Sequence, residues 1–126
     1  LPDDTKILIY VVDDDASVRS ALTMLFMSAD MEVRTFEAAE DLLKCQLREQ
    51  NSCLISDVKL KGLSGLELQQ QLAGKGNKMP VIFLTAFDSN EIRQQAKQAG
   101  AVGYFRKPVD DQALLDTIRW VLSSRS

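Results

Sequence analysis

Apolar residues along this chain gather in short dense clusters, separated by longer stretches where they recur every third or fourth position. Four clusters, at 7–12, 53–55, 81–84 and 102–105, are nearly unbroken and rich in β-branched and aromatic residues. Runs this short, with no polar alternation, predict strands covered on both faces, as in a parallel sheet. A fifth segment, 32–36, alternates polar and apolar and predicts an edge strand with one face partly wet.

Helical spacing fills the gaps. Val18, Leu22, Leu25, Phe26 and Ala29 form one apolar stripe, and Leu114, Leu115, Ile118, Val121 and Leu122 form another. Ser64 followed by Glu67 predicts a capping box that opens a third helix, and Asp88 followed by Glu91 offers the same reciprocal geometry for a fourth. Gly100 is placed to end that fourth helix in the left-handed conformation. A helix over 38–48 completes the set. The glutamines at Gln69, Gln70, Gln71, Gln94, Gln95 and Gln98 read as solvated faces, and Trp120 falls off the last stripe as a partner contact or a half-buried rim residue.

The resulting order is strand–helix repeated five times, one unit roughly every 25 residues. Such alternation predicts an α/β fold, a five-stranded parallel sheet doubly wound as (βα)5 with right-handed crossovers. The half-wet second strand belongs at an edge, which favours the order 2-1-3-4-5 over a closed barrel. Residues 1–126 read as one domain, with 1–5 a loose tail and 123–126 a frayed end or the start of a linker.

Composition narrows the chemistry. A net charge of −3 argues against nucleic-acid binding by this domain itself, since phosphate contacts need clustered Lys and Arg. No apolar run approaches the ~20 residues that span a bilayer, which points to a cytoplasmic chain with no membrane partner. The two cysteines, Cys45 and Cys53, read as reduced thiols, Cys53 as a small core residue. Histidine is absent, which removes imidazole metal sites, imidazole acid–base catalysis and Ser-His or Cys-His pairs. Chemistry must then run on carboxylates, Lys, Ser, Thr or a bound metal.

In open α/β sheets the site lies off the carboxyl ends of the strands, near the reversal of strand order. The first strand is followed there by Asp13, Asp14 and Asp15, the third by Ser56 and Asp57, the fourth by Thr85, the fifth by Arg106, Lys107 and Pro108. Neighbouring strands lie ~4.8 Å apart, so Asp57 should sit close to Asp13 and Asp14. Facing carboxylates repel unless a cation neutralises them, and Mg²⁺ is the economical choice because it takes oxygen ligands and keeps waters that a phosphate can replace. Thr85 and Lys107 add a hydroxyl and a cation suited to phosphate oxygens. Together they make a phosphoryl-transfer site. Asp15 reads as a helix cap or a solvated neighbour.

Val11-Val12-Asp13-Asp14, Ser56-Asp57, Ser64-Gly65, Leu84-Thr85-Ala86 and Lys107-Pro108 occur in order, each at a strand end. On these stretches the chain resembles the response-regulator receiver domains of two-component systems, which share a flavodoxin-like fold. The segments 99–101 and 107–111 resemble most the branch with a C-terminal helix-turn-helix output domain, which this chain does not contain. The resemblance implies a signalling switch rather than a turnover enzyme. Asp57 would take a phosphoryl group from a sensor histidine kinase, and the domain would catalyse that transfer and a slow hydrolysis. Asp14 would bind Mg²⁺ (or Mn²⁺) directly and Asp13 through water, with Asp57 and the backbone carbonyl of Lys59 as further ligands. Lys107 would pair with the phosphoryl group, Thr85 would move to meet it, and Tyr104 would be the aromatic that turns inward in response. The Lys107-Pro108 bond would be cis. The face made by helix 4, strand 5 and helix 5 would then change to control an output, transcription by expectation. A homodimer formed on phosphorylation is one option, and DNA would be reached only through the missing output domain.

Two departures stand out. Lys61 occupies a position where the family often has proline, although Gly62 and Gly65 still permit a tight turn. Lys59 and Phe87 each lie two residues beyond a site residue, where a cation and a ring would shield the phosphate from water. Two other readings compete. Asp13-x-Asp15-x-Ser17 weakly resembles the nucleophile motif of haloacid-dehalogenase-like phosphatases, which would make Asp13 the covalent site, and a pseudo-receiver would signal by binding alone.

Overall fold

The computed structural model describes residues 6–124, so the expectations for 1–5 and for 125–126 lie outside the described residues. Its strands are β1 (Leu8–Val12), β2 (Glu32–Phe36), β3 (Ser52–Asp57), β4 (Val81–Thr85) and β5 (Gly103–Arg106). Its helices are α1 (Ala16–Ser28), α2 (Ala39–Leu43), α3 (Gly65–Gly74), α4 (Asn90–Gln98) and α5 (Asp111–Ser123). All strand pairs are parallel and the order is β2-β1-β3-β4-β5. The predicted topology is the observed one.

Alternation along the strands divides the core in two. Leu8, Tyr10, Val12, Leu54, Val81 and Phe83 point to the face covered by α2, α3 and α4. Ile9, Val11, Cys53, Ile55, Ile82 and Leu84 point to the face covered by α1 and α5, where they meet Leu22, Phe26, Leu114 and Ile118. The three central strands are buried at every position. β5 differs from the expectation of a strand covered on both faces: it is the second edge, only half-buried, and starts one residue late, after the exposed Val102.

Helix ends follow local chemistry. Ser64 and Glu67 form the expected capping box on α3, and Gly100 adopts φ 92° after α4. The cap of α4 is Ser89 rather than Asp88, its hydroxyl accepting from the Ile92 amide. The helix expected over 38–48 stops at Leu43. Tertiary hydrogen bonds take up the rest: the Arg48 amide donates to the Tyr10 hydroxyl, and its guanidinium donates to the carbonyls of Lys6, Gln50 and Asn51. Helix propensity is weak against such partners. Ser123 belongs to α5 rather than to a frayed end. Gln69 is buried rather than solvated, with an unpartnered Oε1, and Trp120 stands 71% exposed, which sets aside the half-buried option.

Candidate functional site

Strand register builds the site. β1 pairs with β3 so that Val12 lies beside Ser56, and one step further Asp13 and Asp57 emerge side by side. β3 pairs Asp57 with Leu84, β4 pairs Thr85 with Arg106, and the next residues of the ladder continue it, the Lys107 amide donating to the Thr85 carbonyl at 2.8 Å. Four strands therefore deliver their polar residues at one level above the sheet.

Carboxylate oxygens of Asp13, Asp14 and Asp57, one from each residue, lie within 4.8 Å of one another. Asp13 and Asp57 are buried, Asp14 partly so. Lys107 reaches across the sheet between them, its Nζ 2.7 Å from Asp13 Oδ2 and 2.8 Å from Asp57 Oδ2. Burial pushes the Asp57 carboxyl up from the ordinary range, and its hydrogen bond to Lys107 only partly offsets this. Burial also opposes the charge on Lys107, yet the hydrogen bonds to Asp13 and Asp57 outweigh it and the net shift is upward. An oxygen-only donor set of three clustered acids fits a hard divalent cation such as Mg²⁺.

The surrounding loops are fixed by their own bonds. The Lys59 amide donates to Asp57 Oδ1 at 3.1 Å, and Ser56 Oγ donates to the Asp57 carbonyl. Asp13 Oδ1 accepts from the Asp15 amide, and Asp15 caps α1 by accepting from Ser17, which holds its carboxyl below the usual range. The Lys107-Pro108 bond is cis.

Gly65 approaches the acid so closely that a Cβ there would meet the Asp57 carbonyl oxygen at 2.2 Å. With Gly62 at φ 77°, the β3–α3 loop turns tightly without the proline that Lys61 replaces.

Two expected site residues stand apart. Thr85 Oγ1 accepts from the Phe87 amide at 3.0 Å, which leaves it engaged locally. The Tyr104 hydroxyl donates to Asp88 Oδ1 at 3.1 Å. Burial and the Asp88 carboxylate raise the phenol's pKa further, so it stays protonated.

The model of the family described as the response regulator receiver domain matches residues 9–119. The chain belongs to that family. It is 42% identical over 115 residues to the transcriptional regulatory protein TdiR of Thauera aromatica, covering 91% of this chain and 51% of that protein. Among solved structures it is similar to the response regulator StyR, with TM-score 0.86 and 41% identity over 94% of this chain and 60% of that one. It is also similar to full-length FixJ from B. japonicum, with TM-score 0.87 and 31% identity over 94% of this chain and 59% of that one. The chain thus spans about half the length of the curated relative it matches.

The chain is thus a receiver domain of the kind found in response regulators. Among the described residues no helix is long and apolar enough to cross a membrane. Sequence reasoning missed three supports of this receiver site. Arg19 donates to the Asp13 carbonyl at 2.7 Å, Gly65 abuts the Asp57 backbone, and Asp88 binds both Tyr104 and Arg93. Gly65 was singled out only as permitting a tight turn, and Asp88 with Arg93 carried a further usable signal, an acid and a base five residues apart at a helix start.

Proposed function

We propose that Asp57 accepts a phosphoryl group from a phosphohistidine of a sensor kinase, and that this covalent change is the signal the domain transmits. The observation that carries the reading is the placement of Asp57 against Asp13, Asp14 and Lys107 at the mouth of the sheet. In the transfer, the Asp57 carboxylate oxygen forms a bond to phosphorus while the histidine N–P bond breaks, and its electron pair returns to the imidazole. Phosphoryl transfer asks mainly for alignment and charge neutralisation. Asp13, Asp14, Asp57 and the Lys59 carbonyl would hold Mg²⁺ (or Mn²⁺), which when bound neutralises the acids and the incoming oxygens. Lys107, freed from its carboxylates, pairs with the phosphoryl group.

Thr85 then leaves the Phe87 amide for a phosphoryl oxygen, and Tyr104 turns into the space beside it. Moving a switch from 1:99 to 99:1 takes ~5.5 kcal/mol of differential interaction, for which the new contacts to Lys107 and Thr85 are the source. The face of α4, β5 and α5 changes with them and controls an output. Transcription is the proposed output, in keeping with the name of the TdiR relative. DNA would be contacted through an output domain outside this chain, with phosphorylation-dependent homodimerisation as one route. The setting is the cytoplasm.

Intact-mass measurement after incubation with acetyl phosphate and Mg²⁺ tests the reading. Wild type gains one phosphoryl group and Asp57→Asn gains none. Covalent labelling that survives Asp57→Asn but is lost in Asp13→Asn would instead favour a phosphatase-type nucleophile.

A further inference from the structure

Asp88 is free of the capping duty its sequence position suggested, because Ser89 caps α4. Its two carboxylate oxygens engage different partners. Oδ1 accepts from the Tyr104 hydroxyl at 3.1 Å, and Oδ2 pairs with the Arg93 guanidinium at 2.5 Å. The Arg93 guanidinium carbon lies 5.5 Å from the centroid of the Tyr104 ring. Three residues, from the β4–α4 loop, the opening of α4 and strand β5, close a ring of contacts around one aromatic side chain.

We propose that Asp88 and Arg93 are positioning residues that latch Tyr104 in its resting orientation and so set how readily the domain switches. This rests on the reading of Tyr104 as the aromatic that moves. A ring that merely fills space needs no particular partner. Here the hydroxyl meets a carboxylate, a stronger acceptor than a neutral group, and the ring lies beside a cation. Both contacts depend on where the ring sits. Inward rotation carries the hydroxyl away from Asp88 and the ring away from Arg93, so the latch belongs to one state only. An interaction confined to one state shifts the equilibrium by its full differential strength. The other anchors at this end of α4 are the Ser89 cap and the part-buried Ile92, and the helix's sole fully buried residue is Ala96, further along. Because binding and switching are linked, whatever the latch adds to the resting state lowers the affinity of Asp57 for a phosphoryl mimic by up to the same factor.

The chain holds two tyrosines, Tyr10 and Tyr104, so 3-fluorotyrosine labelling reports on the switch, with buried Tyr10 as an internal check on the fold. Each protein is titrated with beryllium trifluoride in Mg²⁺ while both fluorine resonances are followed, Tyr104→Phe providing the assignment. In Asp88→Ala the unliganded Tyr104 resonance moves part-way to its saturated position and half-saturation falls about tenfold. In Arg93→Gln the same changes occur with about a threefold fall. The Tyr10 resonance stays in place in both. If the wild-type Tyr104 resonance moves on saturation while both variants match wild type, or bind the mimic more weakly, the latch is overturned and the switch reading stands. If the wild-type Tyr104 resonance does not move at saturation, Tyr104 is no switch and both readings fall.

Discussion

Helix α4 is held to the sheet on different terms from α1 and α5. Over one face lie α1 and α5, thirteen residues each, with Leu22, Phe26, Leu114, Leu115, Ile118 and Val121 buried between them and the strands. Over the other, α4 is nine residues long, mostly polar, and buries only Ala96 completely, with Ile92 packed part-way. Apolar area removed from water is the main source of helix anchoring. The Asp57 pocket sits over strands buried on both faces, while Tyr104 adjoins α4. A helix anchored this lightly can shift at small cost, which is what the proposed switch requires.

The contrast makes predictions of graded size. Phe26→Ala on the fixed layer should lower unfolding free energy by about 4 kcal/mol, whereas Ile92→Ala on α4 should lower it by about 1 kcal/mol, both measured by urea titration. Equal losses would remove the contrast. Gly65→Ala comes next. Alanine is the better helix former by about 1 kcal/mol, but its Cβ would collide with the Asp57 carbonyl oxygen. Destabilisation by about 2 kcal/mol is expected, with slower phosphorylation by acetyl phosphate, and a stabilised variant would show that the approach is not tight.

Asp57→Asn should act in the other direction. The folded pKa of Asp57 is raised, so its proton-bound form is favoured by the fold. The stability this gives is complete below the ordinary carboxylate pKa and is lost as pH rises through the folded value. At neutral pH the ionised, buried acid is therefore a burden, and its replacement should raise Tm by about 4 °C without metal. The advantage should fade as pH drops toward the ordinary carboxylate range, and Mg²⁺ should narrow it by stabilising wild type. The smallest effect concerns the rim. Lys59 Nζ lies 4.4 Å from the Phe87 ring centroid, so cation and ring meet between the loops that follow Asp57 and Thr85. Lys59→Ala and Phe87→Ala should each shorten the phosphorylated form's half-life about threefold, and unchanged half-lives would remove the shield.

What could be read without coordinates was whatever depends on periodicity and order. The buried runs, the wet edge at β2, the order of strands and the meeting of Asp13, Asp14 and Asp57 follow from alternation and register. What escaped depends on partners distant in sequence. Residues 44–48 carry helix-compatible side chains, yet Tyr10 and the carbonyls of Lys6, Gln50 and Asn51 claim Arg48. Gln69 looks solvated on α3 until packing near Gly100 buries it. Asp88 fits a cap by spacing, and only the proximity of β5 shows that it serves Tyr104 instead. Gly65 reads as a turn glycine, and only the Asp57 backbone seen beside it shows the close approach that excludes a Cβ.

Lys107 follows Asp57 by 50 residues, yet its ammonium lies between Asp57 and Asp13. A chain emerging from the ribosome thus carries its three acids long before the cation that balances them. Until the fifth strand docks, those acids repel one another, and the proposed phosphoryl acceptor lacks the lysine proposed to assist it. An unfinished protein is in this way poorly equipped to receive a signal that it could not yet pass on.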